Sequence, residues 1–398
     1  MERVTVRAER IVARGVALAR LDDGRRALIH GAMPGEVVVA EPDRIRRDLV
    51  EAHVVDVVEA SPDRIDAVCP HVAAGCGGCS WQHMTPTAQA SAKRGIVVDA
   101  VQRIGGLDSE RAEGVVADTI ALAPWDYRTS VRVGFTRTGR PGFRKSRSHE
   151  LVEIDDCPIA APAIRAVLPS LRADGPGRSG EAVVRVVPGS DDVVVVHDAD
   201  SDVHTDVTAA RLVPRGDADA PRHDLHARVG NFSLAVPASA FFQPHTDGPD
   251  ALTTHVGSIL TDDFGRLADL YCGVGLFAAA LGPRAPIGIE QHRAAARAAH
   301  TNLEHLDAVV TRGDVARSTL PALDTVVADP SREGLGADAV SAITRSGASQ
   351  VVLVSCDPAA FGRDTRLLRA AGFELCAATP FDQFAQTHHV EIVSHFTK

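Results

Sequence analysis

The 398-residue chain contains no run of about 18 or more uncharged apolar residues, so no membrane-spanning helix and no membrane partner are expected. Its first residues, Met1-Glu-Arg-Val-Thr-Val, lack the apolar core of a signal peptide. The expected compartment is therefore cytoplasmic, where thiols stay reduced. The seven cysteines then read as metal-binding or catalytic before they read as disulfides. A positive net charge is missing too, the formal balance being −10. That does not advertise a nucleic-acid partner, but phosphate contacts need only a basic patch. One patch stands out at Arg128, Arg132, Arg137, Arg140, Arg144, Lys145 and Arg147, with Asp126 beside it. Much of the negative charge gathers elsewhere, at Asp191, Asp192, Asp198, Asp200, Asp202 and Asp206. Composition permits RNA without demanding it.

The length allows two or three domains, each with its own core. Residues 1–60 read as short strands with Gly and Pro punctuation: Val4-Thr-Val-Arg, Gly15-Val-Ala-Leu-Ala-Arg, Arg26-Ala-Leu-Ile-His, Val37-Val-Val-Ala and His53-Val-Val-Asp-Val-Val. Close spacing of this kind suggests a small OB-like β-barrel, an architecture that often binds oligonucleotides. Residues 61–240 open with a Cys-rich loop and a helix over 88–104, then turn mostly β from Tyr127 to Pro237, with flexible points expected at 174–180 and 214–221. Residues 241–398 alternate strands and helices. Leu267-Ala-Asp-Leu, Pro286-Ile-Gly-Ile-Glu, Val309-Val, Thr325-Val-Val-Ala-Asp and Gln350-Val-Val-Leu-Val-Ser are the strands, and 292–303 and 363–371 have helical spacing. The pattern predicts a parallel, doubly wound α/β sheet.

Asp269-Leu-Tyr271-Cys-Gly273-Val-Gly is a strand end, a Gly turn and a helix start, where backbone can approach a ligand. Glycine at such turns is often purely steric, so the motif alone is weak. Its context is stronger. Glu290 ends the next strand, where a carboxylate can grip ribose hydroxyls, and Asp314 and Asp329 follow the third and fourth strands. Helix capping would explain one of these acids, but three in register point to a ligand edge. Cys356, just past the fifth strand, stands at that same edge as a candidate nucleophile, since a thiolate is the reactive form. Cys272 is a rival within the Gly turn, and Cys376 reads as a core residue. Glu391, an acid in a β-rich stretch, is either on a solvent face or at a site.

Together, Phe242-Gln243, Asp269-Leu-Tyr-Cys-Gly-Val-Gly-Leu-Phe, Gly288-Ile-Glu290, Asp329-Pro, Ser355-Cys356-Asp-Pro and Asp382-x-Phe-x-x-Thr-x-His389-Val-Glu391 resemble the RNA 5-methyluridine methyltransferase family over nearly the whole chain. The resemblance implies a Rossmann-like, class I methyltransferase domain. It implies that Gln243, Tyr271, Glu290 and Asp329 contact S-adenosyl-L-methionine, that Cys356 attacks and that Glu391 is the base. Gly273 in the Gly turn and Asp314 join the cofactor set from their place in the fold. The front half resembles a TRAM domain, and Cys69, Cys76, Cys79 and Cys157 look like the four-cysteine site of the ribosomal-RNA members. Four thiolates suit zinc as well as a [4Fe–4S] cluster, and the resemblance favours the cluster. The expected partner is RNA, 23S ribosomal before transfer RNA, and a monomer is expected. A non-catalytic RNA-binding iron–sulfur protein is the alternative of a different class. The sequence departs from the family at His245 (usually Asn), at Ser331 (usually Pro) and near Ala298 (where an Asn is expected).

Overall fold

The structure is a computed structural model, and residues 2–174, 180–198, 202–260, 264–282 and 284–398 are described. The strands β1 (Val4–Val12), β2 (Val16–Arg20), β3 (Arg26–His30), β4 (Val37–Ile45) and β5 (Leu49–Glu59) close into a barrel in the order β1-β2-β3-β5-β4. Alternation along β1 and β4 turns Val6, Ala8, Val38 and Ala40 inward, where they meet Ile29 and Met33. β5 begins at Leu49, earlier than its apolar run suggests, because Leu49–His53 pairs in parallel with β3.

Past the barrel come the single turn α1 (Pro70–Ala73) and the long helix α2 (Pro86–Arg103). Thr85 Oγ1 accepts from the Ala88 amide at 3.3 Å and Pro86 occupies the first turn, so the start of α2 is doubly specified. α2 and α3 (Ser109–Val115) do not join the β-rich region that follows. Val97, Val101 and Val116 pack against the C-terminal sheet instead.

The central sheet takes β6 (Ser130–Phe135), β7 (Pro141–Arg144), β8 (Leu151–Glu153), β10 (Glu181–Arg185), β11 (Val193–His197) and β13 (Ala210–Pro214) in the order β13-β11-β10-β6-β7-β8. Helix α4 (Pro162–Val167) covers one face. β9 (Arg172–Asp174) and β12 (Asp202–His204) form a separate pair, as do β14 (Leu225–Val229) and β15 (Phe232–Val236). Of the expected loops, 214–221 contains two short 3-10 turns. Most of 174–180, and Asp200 of the acidic run, lie outside the described residues.

The C-terminal sheet holds β16 (Leu267–Leu270), β17 (Ile287–Glu290), β18 (Val309–Arg312), β19 (Thr325–Ala328), β20 (Gln350–Ser355), β21 (Glu374–Phe381) and β22 (Glu391–Thr397), ordered β18-β17-β16-β19-β20-β22-β21. The helices are α5 (Gly248–Ile259), α6 (Leu276–Leu281), α7 (Arg293–Asn302), α8 (Gly336–Arg345) and α9 (Pro358–Ala370). Val351 and Leu353 face one layer with Val97, Val340 and Phe361, while Val352 and Val354 face the other with Leu252 and Phe277. Both faces are covered, as in a doubly wound sheet. The sheet is not wholly parallel, however. β22 runs antiparallel between β20 and β21, a reversal that the apolar pattern of the last strand could not reveal.

Candidate active site

The acids anticipated from the sequence stand in a row along the carboxyl edge of the sheet, in the strand order Asp314, Glu290, Tyr271 with Gly273, and Asp329. The Gly turn after β16 bends through left-handed backbone at Tyr271 (φ 59°), Gly273 (φ 56°) and Gly275 (φ 91°). A Cβ on Gly273 would meet nothing within 4 Å, so open space lies beside the turn, whereas one on Gly275 would strike Leu303 at 2.9 Å. Glu290 links turn and strand, accepting from the Gly273 amide at 3.0 Å and the His292 amide at 2.6 Å. Asp314 caps a 3-10 turn through the Ala316 amide at 3.0 Å, the bland role that any one of these acids could fill. Burial lifts the neighbouring Tyr271 phenol to about 12, helped by the charges of Asp314 and Asp364.

Gln243 reaches the edge from the segment before α5. Its Nε2 donates to Asp329 Oδ2 at 2.9 Å, and its Oε1 accepts from Gln383 at 3.1 Å. Burial raises the Asp329 carboxyl to about 7 against that hydrogen bond. Beneath it, fully buried Asp269 accepts from the Ala278 amide at 3.0 Å through Oδ2, while its Oδ1 has no partner among the described residues. Gln383 Oε1 is equally bare. The unsatisfied buried Asp269 acceptor, on the strand that leads into an open Gly turn, fits a bound ligand that carries hydroxyl or ammonium donors.

Cys356 and Glu391 come together because β22 is antiparallel. Ser355 pairs with Ile392, so the residue after β20 and the first residue of β22 are neighbours at one edge. Burial raises the Cys356 thiol to about 12. The charges of Glu391 and Asp329 add to the rise, and the Arg332 guanidinium opposes it. Glu391 is only 3% exposed, and its Oε1 has no partner among the described residues. Burial and Asp329 hold its carboxyl well above the ordinary range, again against Arg332. A thiol and a carboxyl thus stand close together, with one guanidinium opposing the rise of both.

Cys69, Cys76, Cys79 and Cys157 are unbridged and line one cavity of about 390 Å³ with Arg128, Arg332 and His389. Burial raises the Cys76, Cys79 and Cys157 thiols, Cys79 to about 11 and Cys157 to about 12, and neighbouring cysteines add to each rise. Among the described residues no three His, Cys, Asp or Glu side chains gather closely enough to hold a single metal ion. The basic stretch is largely paired: Arg132 and Arg144 with Glu181 (3.1 and 2.9 Å), Arg140 with Glu153 (2.8 Å), Lys145 with Glu150 (2.7 Å) and Arg147 with Asp43 of the barrel (2.9 Å). Among the described residues no helix is long and apolar enough to cross a membrane.

No protein-family model matches the chain. Curated relatives do. It is 33% identical to an RNA methyltransferase of Corynebacterium glutamicum, over 94% of this chain and 92% of that protein. It is 30% identical to the 23S rRNA (uracil(1939)-C(5))-methyltransferase of Alkalilimnicola ehrlichii, with the same coverage. The chain belongs to the RNA 5-methyluridine methyltransferase family. Its fold is similar to that of the Pyrococcus abyssi tRNA (uracil-54, C5)-methyltransferase solved with S-adenosyl-L-homocysteine, with a TM-score of 0.73 and 21% identity over 100% of both chains.

The departures from the family pattern can now be located. His245 is buried, stacks on Tyr127 at 4.6 Å, bonds the Ala123 carbonyl at 3.0 Å and accepts from the Asp247 amide. Both ring nitrogens are thus engaged within the protein. Ser331 is exposed at a turn, and Ala298 is buried in the core. Asn302, one turn beyond Ala298, ties β15 to the Gly turn, bonding the Ala235 amide and carbonyl and the Val274 carbonyl. Cys376, expected in the core, is instead exposed beside Thr397, because the strand alternates and Leu375 takes the inward position. Asp269, Gln383 and Arg332 carry no sequence signal of their own as site residues, and tertiary structure alone brings Gln383 to Gln243 and Arg332 near Cys356 and Glu391.

Proposed function

We propose that this enzyme methylates carbon 5 of a uridine in structured RNA, ribosomal RNA before transfer RNA, through a covalent adduct with Cys356. The observation that carries the proposal is the meeting of Cys356 and Glu391 at the ends of β20 and β22. Carbon 5 of uracil is a poor nucleophile. Once the Cys356 thiol has lost its proton to solvent, its addition to carbon 6 makes the ring an enolate. Carbon 5 then takes the methyl group that S-adenosyl-L-methionine would supply as its sulfur–methyl bond breaks. Glu391 removes the carbon-5 proton, the electron pair re-forms the double bond, and the thiolate leaves. The target must be flipped or unpaired to reach a buried carboxylate. Phe241, 68% exposed two residues before Gln243, offers it a ring face.

Gln243, Tyr271, Gly273, Glu290, Asp314 and Asp329 form the proposed cofactor edge. The barrel (1–60) would hold RNA, 61–240 would carry the cysteine site, and 241–398 the catalytic centre, with 86–120 packed on the catalytic sheet. Cys69, Cys76, Cys79 and Cys157 would hold an iron–sulfur cluster, zinc being the alternative. In support, all four thiols line one cavity, as a shared four-thiolate site requires. The experiment is to incubate wild-type protein and Cys356→Ala with methyl-labelled S-adenosyl-L-methionine and unmodified ribosomal or transfer RNA, then map the labelled nucleotide. Label at carbon 5 of a uridine, lost with Cys356, is expected. Label on cytosine, or label retained by Cys356→Ala, would refute the proposal.

A further inference from the structure

One carboxyl oxygen of Glu391, Oε1, is buried without a hydrogen bond among the described residues, so the aim of the side chain leans on its backbone. That backbone is set by the pairing of Glu391 with Phe381 on β21 and by the connection 382–390 between the two strands. The connection is gripped from outside the sheet by one face of α2. Lys93, fully buried, donates to Asp382 Oδ1 and to the Phe384 carbonyl, the latter at 3.1 Å. One turn earlier, Gln89 donates to Gln386 Oε1 at 3.0 Å and accepts from the Gln386 amide at 2.9 Å. Gln386 sits in left-handed backbone (φ 66°), a conformation that needs support from its surroundings. Tyr127 adds a third hold, its hydroxyl donating to the Ala385 carbonyl at 2.8 Å.

Stability alone does not account for this arrangement. A buried ion pair is often matched or exceeded by apolar side chains of similar volume. What the pair and the amide clamp supply is placement, in the segment that ends at Glu391.

We propose that Lys93 and Gln89 are positioning residues for the base, holding 382–390 so that Glu391 meets the carbon-5 proton. The inference rests on the reading of Glu391 as that base. It predicts a defect much larger in one step than in the other, even though Gln383 of the same connection bonds Gln243. Thiolate addition and methyl transfer depend on Cys356 and the cofactor edge, whereas release depends on Glu391.

The test uses two clamp variants. Lys93→Met with Asp382→Asn removes both buried charges together, and Gln89→Met removes only the neutral clamp, in case the first variant does not fold. Each is mixed in a single turnover with methyl-labelled S-adenosyl-L-methionine and unmodified ribosomal RNA, then quenched in denaturant. Label bound to protein is separated from label on free RNA, and circular dichroism checks the fold. The expected result is a folded protein with methyl transfer within about twofold of wild type. Its ratio of protein-bound to free label should rise about tenfold or more, since small misplacements of a reacting group cost factors of up to about 100. A folded variant with wild-type partition, or one that slows both steps equally, overturns the proposal. Glu391→Gln is the control. An adduct there but in neither clamp variant refutes the positioning role alone, and an adduct in none of the three refutes the base and this inference with it.

Discussion

Replacing Asp269 by Asn would remove a buried titratable carboxyl from beneath the proposed cofactor edge. Burial lifts this carboxyl from an ordinary 3.8 to about 7. The Ala278 amide opposes the rise, and Asp329 and Glu290 add to it. A carboxyl raised on folding binds its proton more tightly in the folded chain. The stability it contributes is full below the unfolded value and is lost as pH rises through about 7. One pKa unit corresponds to about 1.4 kcal/mol, so wild type should lose roughly 2–3 kcal/mol between about pH 5 and about pH 8 that the variant keeps. Asn can still accept from Ala278, and its amino group replaces an oxygen that has no partner among the described residues. Urea unfolding of both proteins at the two pH values, without cofactor, measures the difference directly. Parallel losses of stability in the two proteins would refute the reasoning, because Asp269 would then not titrate in this range.

The remaining predictions concern the reaction, the cysteines and the basic stretch. Glu391→Gln should lower turnover by a factor of about 100 to 10,000 and accumulate a methylated protein–RNA band stable to denaturant. Cys356→Ala and the double variant should give neither band nor product, and normal turnover of Glu391→Gln would remove the base from the scheme. Protein purified without oxygen should be brown and contain iron, and one equivalent of zinc without iron would replace the cluster by a zinc site. Changing Arg140, Arg144 and Lys145 to Ala should leave the salt dependence of RNA binding nearly unaltered, because each cation already faces a carboxylate. A slope smaller by about 0.9 per lost contact would show that these pairs open to phosphate.

Much of the architecture was legible because strand and helix periods, glycine turns and caps are local. The barrel strands, the Gly turn after β16 and the acids ending β17 and β19 all follow from short patterns. Long-range choices were not legible. Nothing in 86–120 announces that this segment leaves its sequence neighbours to pack on the C-terminal sheet, and Gln89 and Lys93 look like solvent-facing polar residues until their partners 297 and 289 positions away are known. The pairing of the basic stretch was equally hidden, because its counter-charges, Glu181 and Asp43, lie on other strands.

The strand that carries Glu391 is the last of its sheet in sequence, yet it lies between two strands made before it. Until β22 slots in, β20 and β21 have no common neighbour, and the thiol at the end of β20 faces no base. A partly folded chain with the barrel and strands β16–β20 in place would therefore still lack the pairing that brings residues 356 and 391 together. On the proposed roles of these two residues, completing a turnover requires the last strand to be seated.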